Sequence, residues 1–556
     1  MRNNSTYLAR FCWSLVLVTG VGMTSFAQDT QEKWEEGEGG IKNVEFRIVK
    51  DRQITLPATA NRNFEKIPPR AAEPNTSPIT YEFKPLNFNT PDFNPVIRPL
   101  KLKTETQSKT YGNYVSGGLG NFSSIYGEAF LNTKRDKNKY YGAHLFHQSF
   151  AKGPVNDKFS GNGNTNLDLF GKFFTDKITT GAALNIENRS GYFYGYPSPV
   201  GIERDQIKQS YTVVGLSGDI ENTKPADFDF KLNGGFSYLS DHYDAKESEV
   251  ALGWKSDYQL EDKSGLVLNA DYFLISRKDK TVDANPRHLF KVSPAYRFSP
   301  IDGLNLSAGL NIAYENDKLV DKSVHIYPNV WADYELGSAT QAYAGLTGDM
   351  DKVSLHTLSK ENLWLNSNID IAHTNRAFDL MAGLKGKLVK KLAYDAGFSV
   401  ARLKNLYYFQ NALTDQSKFD VKYDDASRLN LFADLGISVS EKIRFNGRGD
   451  YYSYSSEQLL HKPTYRLALG SSFNIYSKIS LQVDFITQGG MKALDSSGKI
   501  LTLDPALDLS AKANYYFSKQ VSVFVKLNNL LSSDYPVYYH YPVRGFQAMG
   551  GLTWSF

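Results

Sequence analysis

Two histidines three residues apart, His144 and His147, are the first pair in the sequence that could share a metal ion. An offset of three is wrong for a strand, because side chains alternate faces and an odd spacing sends the two rings to opposite sides. The other seven histidines (His242, His288, His325, His356, His373, His461 and His540) stand singly, so satisfied or exposed imidazoles are expected and a ligand set is not. The chain holds no phosphate-binding glycine loop, no Gly-x-Ser-x-Gly elbow and no zincin motif. Gly117, Gly118 and Gly120 precede Asn121 but open no helix, which reads as a tight hairpin rather than a phosphate cradle. A catalytic site needs acid, base and nucleophile to converge, and nothing in the sequence assembles them. No enzyme, no metal and no cofactor are expected.

Three aromatic groups carry the remaining chemistry: Tyr192, Phe193, Tyr194 and Tyr196; Tyr407, Tyr408 and Phe409; and Tyr535, Tyr538, Tyr539 and Tyr541. Such clusters serve either as an interfacial girdle at a membrane boundary or as a stacking platform for a glycan or another flat ligand. A further set, Arg428, Arg444, Arg448, Asp434 and Asp450, shares one face of two consecutive alternating segments. It reads as a solvated wall in preference to a selectivity device.

The elements that must position these residues are strands. The 556 residues are 41% hydrophobic and 13% aromatic, with 35 Tyr and 34 Phe against 6 Trp, and include 43 Gly, a composition for extended, turn-rich structure. No apolar run reaches the roughly 18 residues of a spanning helix, while membrane strands alternate and average to polar. The formal charge is +4 from 63 basic and 59 acidic residues, scattered along the chain, which gives no argument for a nucleic-acid partner.

Arg2 and Arg10, an apolar stretch from Phe11 to Met23 and small residues at Ser25 and Ala27 read as a secretory signal peptide, residues 1–27, cut before Gln28. Removing the two arginines leaves 61 minus 59, or +2. Cys12, the one cysteine, goes with them, so no disulfide or thiolate chemistry is expected in the mature chain. In residues 28–108, nine of the 21 prolines fall between Pro57 and Pro99 with no glycine among them. That stretch can neither continue a helix nor pair as a central strand. It reads as extended chain, docked through Phe64, Tyr81, Phe83, Phe88 and Phe93 or serving as a linker.

From about residue 109 onward, short turn-like breaks recur at Lys134–Asn138, Thr175–Lys177, Asn222–Ala226, Asp262–Gly265, Ser299–Gly303, Gly337–Thr340, Val389–Lys391, Ser440–Lys442, Ser477–Lys478 and Ser518–Gln520. Ten such turns separate eleven hairpins, hence about 22 strands. Period two is plain where Leu507, Leu509, Ala511, Ala513, Tyr515 and Phe517 alternate with Asp508, Ser510, Lys512 and Asn514. Eleven units exceed the blades of a propeller, and one set of connections is short while the other is mostly long. The expected fold is therefore all-β, a transmembrane antiparallel barrel over residues 109–556, with apolar residues toward lipid and Arg428, Arg444, Arg448, Asp434 and Asp450 on its lumen wall. Alternation is weakest in Lys352–Asn366 and Leu403–Lys422, long connections with room for an extra strand or a short helix.

The final segment places Phe546, Ala548, Gly550, Leu552, Trp554 and Phe556 on one face and ends on an aromatic residue. It resembles the C-terminal strand by which outer-membrane proteins are recognised by the barrel-assembly machinery. With Val523–Leu531, the Asn529-Leu530 pair, Tyr535 and Arg544-Gly545-Phe546, residues 507–556 resemble the closing hairpin of TonB-dependent receptors. The resemblance implies a barrel in the outer membrane, surrounded by its lipids, that binds or transports a solute, with an energising inner-membrane protein or a surface lipoprotein as partner. Family members carry a glycine-rich plug of well over a hundred residues, whereas residues 28–108 hold only Gly37, Gly39 and Gly40. A plug-less barrel must be filled by its own N-terminal segment, by inward-folding loops or by a partner. The resemblance also implies a short extended box near the mature N-terminus, paired by strand addition to the energising protein, and Val44–Val49 is one β-prone stretch that could serve, as any other such stretch could. The alternative is a non-transporting scaffold among the subunits of an envelope assembly or secretion complex.

Overall fold

Alternation decides the architecture. A computed structural model describes residues 111–133, 136–196, 201–317, 322–389 and 391–556, so the expected signal peptide, the proline-rich segment and Val44–Val49 lie outside the described residues. Twenty-two antiparallel strands form one closed sheet, in which the first strand, Tyr114–Gly120, pairs both with the second, Ser124–Asn132, and with the last, Gln547–Ser555. Closure leaves no unpaired edge, the condition for a sheet to sit in hydrocarbon.

The strand count and all ten short turns agree with the sequence reading to within a few residues; Asp302 and Gly303, for example, link Arg287–Ile301 to Leu304–Glu315. An even count puts both ends of the sheet at the end with the short turns. The longer connections gather at the opposite, loop end. Apolar side chains point out: Leu552 is 61% and Trp554 53% exposed, and Leu431, Leu435 and Val525 stand out likewise. Their neighbours in sequence point in and pair with one another, as Asp434 does opposite Arg448. No helix among the described residues is long and apolar enough to cross a membrane, and here the strands do the crossing.

Two strands are far longer than a bilayer requires. Leu392–Asn411 has 20 residues and its partner Phe419–Ser440 has 22. At about 3.3 Å per residue these measure roughly 66 and 73 Å, against about 42 Å for a strand tilted by about 45° across the ~30 Å hydrocarbon thickness. Leu403–Lys422 is thus mostly a prolongation of this pair beyond the barrel. Lys352–Asn366 does contain a short helix, Leu355–Glu361, whose Ser354 side chain accepts from the Thr357 amide at 3.2 Å. Two small ribbons, Lys492–Leu494 with Ile500–Thr502 and Pro536–Tyr538 with Tyr541–Pro542, complete the loop end.

The seam where the barrel closes is built from glycine. A Cβ on Gly551 would stand 2.2 Å from the Gly117 carbonyl oxygen and 2.4 Å from Phe524 Cζ. Only a residue without one lets the first and last strands meet while Phe524 fills the inner face beside them.

Candidate functional site: a loop lid and the recess beside it

Tyr194 follows the fifth strand, Ile178–Tyr192, whereas Trp364 precedes the fourteenth, Thr374–Val389, and Tyr541 lies in the connection before the last. These strands stand far apart around the ring, yet the side chains touch. The Trp364 and Tyr541 ring centroids are 4.1 Å apart, and those of Tyr194 and Tyr541 4.6 Å. Phe419 packs on Tyr538 at 5.2 Å and on Tyr541 at 5.6 Å, and Phe409 meets Tyr538 at 5.8 Å. Residues from different sides of a closed ring can meet only across its opening, so this core forms a lid over the lumen.

The polar ends of these rings are satisfied inside the lid. Trp364 Nε1 donates to the Tyr192 carbonyl at 2.8 Å, the Tyr538 hydroxyl to the Glu361 carbonyl at 3.0 Å, and the Tyr541 hydroxyl to the Ser417 carbonyl. His461 Nδ1 lies 2.8 Å from the Phe409 carbonyl, and its Nε2 accepts from the Tyr539 amide at 3.3 Å. That pair of roles fixes a neutral ring with the proton on Nδ1. Burial holds its pKa down to about 4.

The connection 352–373, with the helix Leu355–Glu361, acts as a strap between lid and wall. The Glu247 carboxylate accepts from the amides of Leu355 at 2.8 Å and His356 at 3.0 Å, satisfying two of the unpaired donors at the helix start. Lys352 bonds Glu249, and Arg189 reaches both the carbonyl and the hydroxyl of Ser359 while resting 2.5 Å from Glu187. On the other side, Arg287 holds Asp317 at 2.6 and 2.9 Å and donates to the Val353 carbonyl at 3.0 Å. His373 Nδ1 accepts from the Val353 amide at 3.0 Å, beside the Arg287 guanidinium. Burial first, and then that cation, press its pKa down to about 3. Hydrogen bonding to the guanidinium keeps the Asp317 carboxyl below its ordinary value despite burial.

The aromatic residues singled out in the sequence are therefore distributed among several roles. Phe409 and Tyr541 are buried in the lid and present no open platform, and Phe193 is buried against the Tyr243 ring. The Tyr407 hydroxyl donates to Glu361 at 2.6 Å, Tyr408 packs in a separate cluster with Leu459 and Leu460, and Tyr539 lies against Met491 and Leu503. Tyr196 donates to Asp415 at 3.3 Å. Four members keep a face on open space. Tyr192, Tyr194, Tyr535 and Tyr538 line a recess of about 440 Å³ between lid and wall, together with Trp364, Asn162, Asn164, Asp508, Arg544 and Gln547. In it the Tyr535 hydroxyl donates to Asp508 at 3.3 Å, and Arg544 donates to Asn162 at 2.8 Å while covering the Phe150 ring. Aromatic faces beside planar polar groups are suited to a flat or polyhydroxylated ligand.

Of the charged set, Arg448 pairs with Asp450 at 2.9 Å and with Asp434 at 3.9 Å, and Arg428 with Asp379 at 3.4 Å; Arg444 shares the inward parity of Arg448. His144 bonds Glu128 at 3.0 Å, whereas His147 bonds Thr165 at 2.8 Å, so they share no site. Among the described residues no three His, Cys, Asp or Glu side chains gather as metal ligands. Sequence reasoning passed over the strap anchors Glu187, Arg189, Glu247, Glu249 and Arg287. The available sign was a charge of inward parity near the loop end of a strand.

No family model matches the chain, and no curated protein matches it. Solved structures do. The ferric-catecholate import receptor Fiu of E. coli K12 aligns with a TM-score of 0.61 at 10% identity, over 80% of this chain and 82% of that one. The siderophore receptor PirA of Acinetobacter baumannii gives 0.62 at 11% identity over 80% of each chain. The FrpB iron transporter of Neisseria meningitidis gives 0.62 at 9%, over 81% and 82%. The barrel has the fold of these receptors and of this transporter, as the closing hairpin led us to expect.

Proposed function

We propose that the chain is an outer-membrane barrel of the TonB-dependent receptor type that binds a solute at its loop end and passes it through a lumen gated by its own lid. The observation that carries this reading is the strap 352–373. It crosses inside the mouth, and hydrogen bonds and ion pairs fasten it to the wall without covalent closure. Such a part can move as one piece. The recess holding Tyr192, Tyr535 and Arg544 is the proposed binding surface, and the Arg448, Asp434 and Asp450 wall is the path beneath. The likeness to import receptors supports the direction of transport, with the loop end outside and the signal peptide 1–27 directing export.

A second reading has its own observation. Among the described residues the lid caps the lumen with loops and their side chains, as a scaffold subunit of an envelope complex would be capped. Mild-detergent purification from the native outer membrane, followed by mass spectrometry of bound proteins, separates the two. Recovery of a surface lipoprotein or of the energising inner-membrane protein is the expected result. Recovery of assembly or secretion subunits alone would replace transport by scaffolding.

A further inference from the structure

Several lysines on the inner wall of this barrel meet carboxylates. Lys231 pairs with Glu221 at 2.7 Å, Lys291 with Asp349 at 2.9 Å and Lys385 with Asp333 at 3.4 Å. Lys512 and Lys526 depart from that pattern. They lie directly opposite one another on the neighbouring strands Ala506–Tyr516 and Val521–Asn528, both at inward parity. Among the described residues neither ammonium has an ion-pair partner, and the contact found for Lys512 is the Phe524 ring at 6.0 Å.

Like charges placed directly across a ladder repel, and an amine in a partly enclosed recess loses hydration that no carboxylate among the described residues offsets. The one carboxylate in the same recess, Glu128, is already engaged by Tyr114 at 2.8 Å, Tyr126 at 2.5 Å and His144 at 3.0 Å. The recess measures about 770 Å³ and is walled by Asn514, Tyr516, Ser522 and Thr553 beside the two lysines. Two unpaired ammonium groups flanked by neutral hydroxyl and amide groups are complementary to an oxyanion: each ammonium gives a charge-assisted hydrogen bond, and the neutral groups meet the remaining oxygens.

We propose that Lys512 and Lys526 form an oxyanion-binding site in the lumen, taking a carboxylate- or phosphate-bearing solute between them. A bound anion would offset the repulsion between the two facing ammonium groups. The site is distinct from the recess under the lid, and it goes beyond the uptake reading, since a capped scaffold could hold an anion equally well.

The test uses the full-length protein in detergent at constant ionic strength, titrated calorimetrically with inorganic phosphate and with citrate. Saturable binding of either probe is expected. K512Q and K526Q should each weaken it roughly tenfold, the worth of one charge-assisted hydrogen bond, and the double variant should abolish it, while the turn variant K442Q binds as the parent does. Wild-type protein gives a second measurement that needs no variant. The bound probe should protect Lys512 and Lys526 from an amine-acetylating reagent, read by mass spectrometry. Absent saturable binding, binding retained by the double variant, or equal acetylation with and without probe would each overturn the proposal. Any of these results leaves solute binding at the loop end as it stood.

Discussion

The Glu247 carboxylate accepts the backbone amide of Leu355 at 2.8 Å, joining barrel wall to strap across 108 positions of sequence. A buried carboxylate bonded to the start of a short helix both caps that helix and sets where the strap lies. Removing it leaves two buried amide donors unpaired, at a cost of about 1 to 3 kcal/mol each. Glu247→Ala is expected to raise hydrogen exchange throughout 352–373 and to increase conductance in planar bilayers, with the barrel still heat-modifiable on gels. Unchanged exchange would show that the strap is held elsewhere.

Tyr541→Ala should act on the lid, and Tyr535→Ala on the recess. Tyr541 is completely buried among Tyr194, Trp364 and Phe419, and truncating a buried aromatic costs about 3 to 5 kcal/mol. Its loss should loosen all the connections that meet there. Tyr535 contributes a partly exposed face and one bond to Asp508, so its removal should weaken ligand binding while lid exchange stays as in the parent. Matching exchange profiles for the two variants would contradict this division.

Acid should release the lid. His461 and His373 are neutral when it is closed, with pKa values of about 4 and about 3 against an ordinary 6.5. Both values are depressed, so the stabilisation is fully present above pH 6.5 and is lost as pH falls from there toward 4. At pH 5 each ring contributes a loss on the order of 2 kcal/mol. Tryptophan fluorescence and exchange in 352–373 and 455–464, compared at pH 7.5 and 5, should report the opening, and His461→Gln should remove part of the response. An identical lid at both values would refute the assignment.

Gly551→Val should prevent closure rather than weaken a closed barrel. Its side chain would have to occupy the space of the Gly117 carbonyl and the Phe524 ring. The expected outcome is a strong fall in heat-modifiable protein in the outer membrane with secretion unaffected. Normal barrel levels would mean that the seam tolerates a side chain.

Strand number, turn positions and the inside-outside pattern were legible in the sequence because each rests on local rules, namely the period of two and the brevity of the turns at one end. Leu507 through Phe517 show this by themselves. The lid was not legible for the opposite reason. Nothing local to Tyr194, Trp364 or Tyr541 says that they meet, and the three aromatic groups read equally as girdle or platform until the closed ring brought them together. Arg448 and Asp450 were placed together because strand parity reaches them. Lys352 and Glu249 were not, since one lies in a loop that has no period.

The first and last strands share one seam, where the hydroxyls of Ser116 and Thr553 stand 2.8 Å apart although 437 positions separate them in the chain. No earlier contact can substitute for this one. The cylinder is thus completed only when the strand Gln547–Ser555 arrives, and until then the strand Tyr114–Gly120 waits with one edge unmet. Contacts of such long range make folding slow and leave the unclosed chain open to wrong pairing. Time spent in that state, and whatever chaperone shields it, would govern how many copies a cell accumulates.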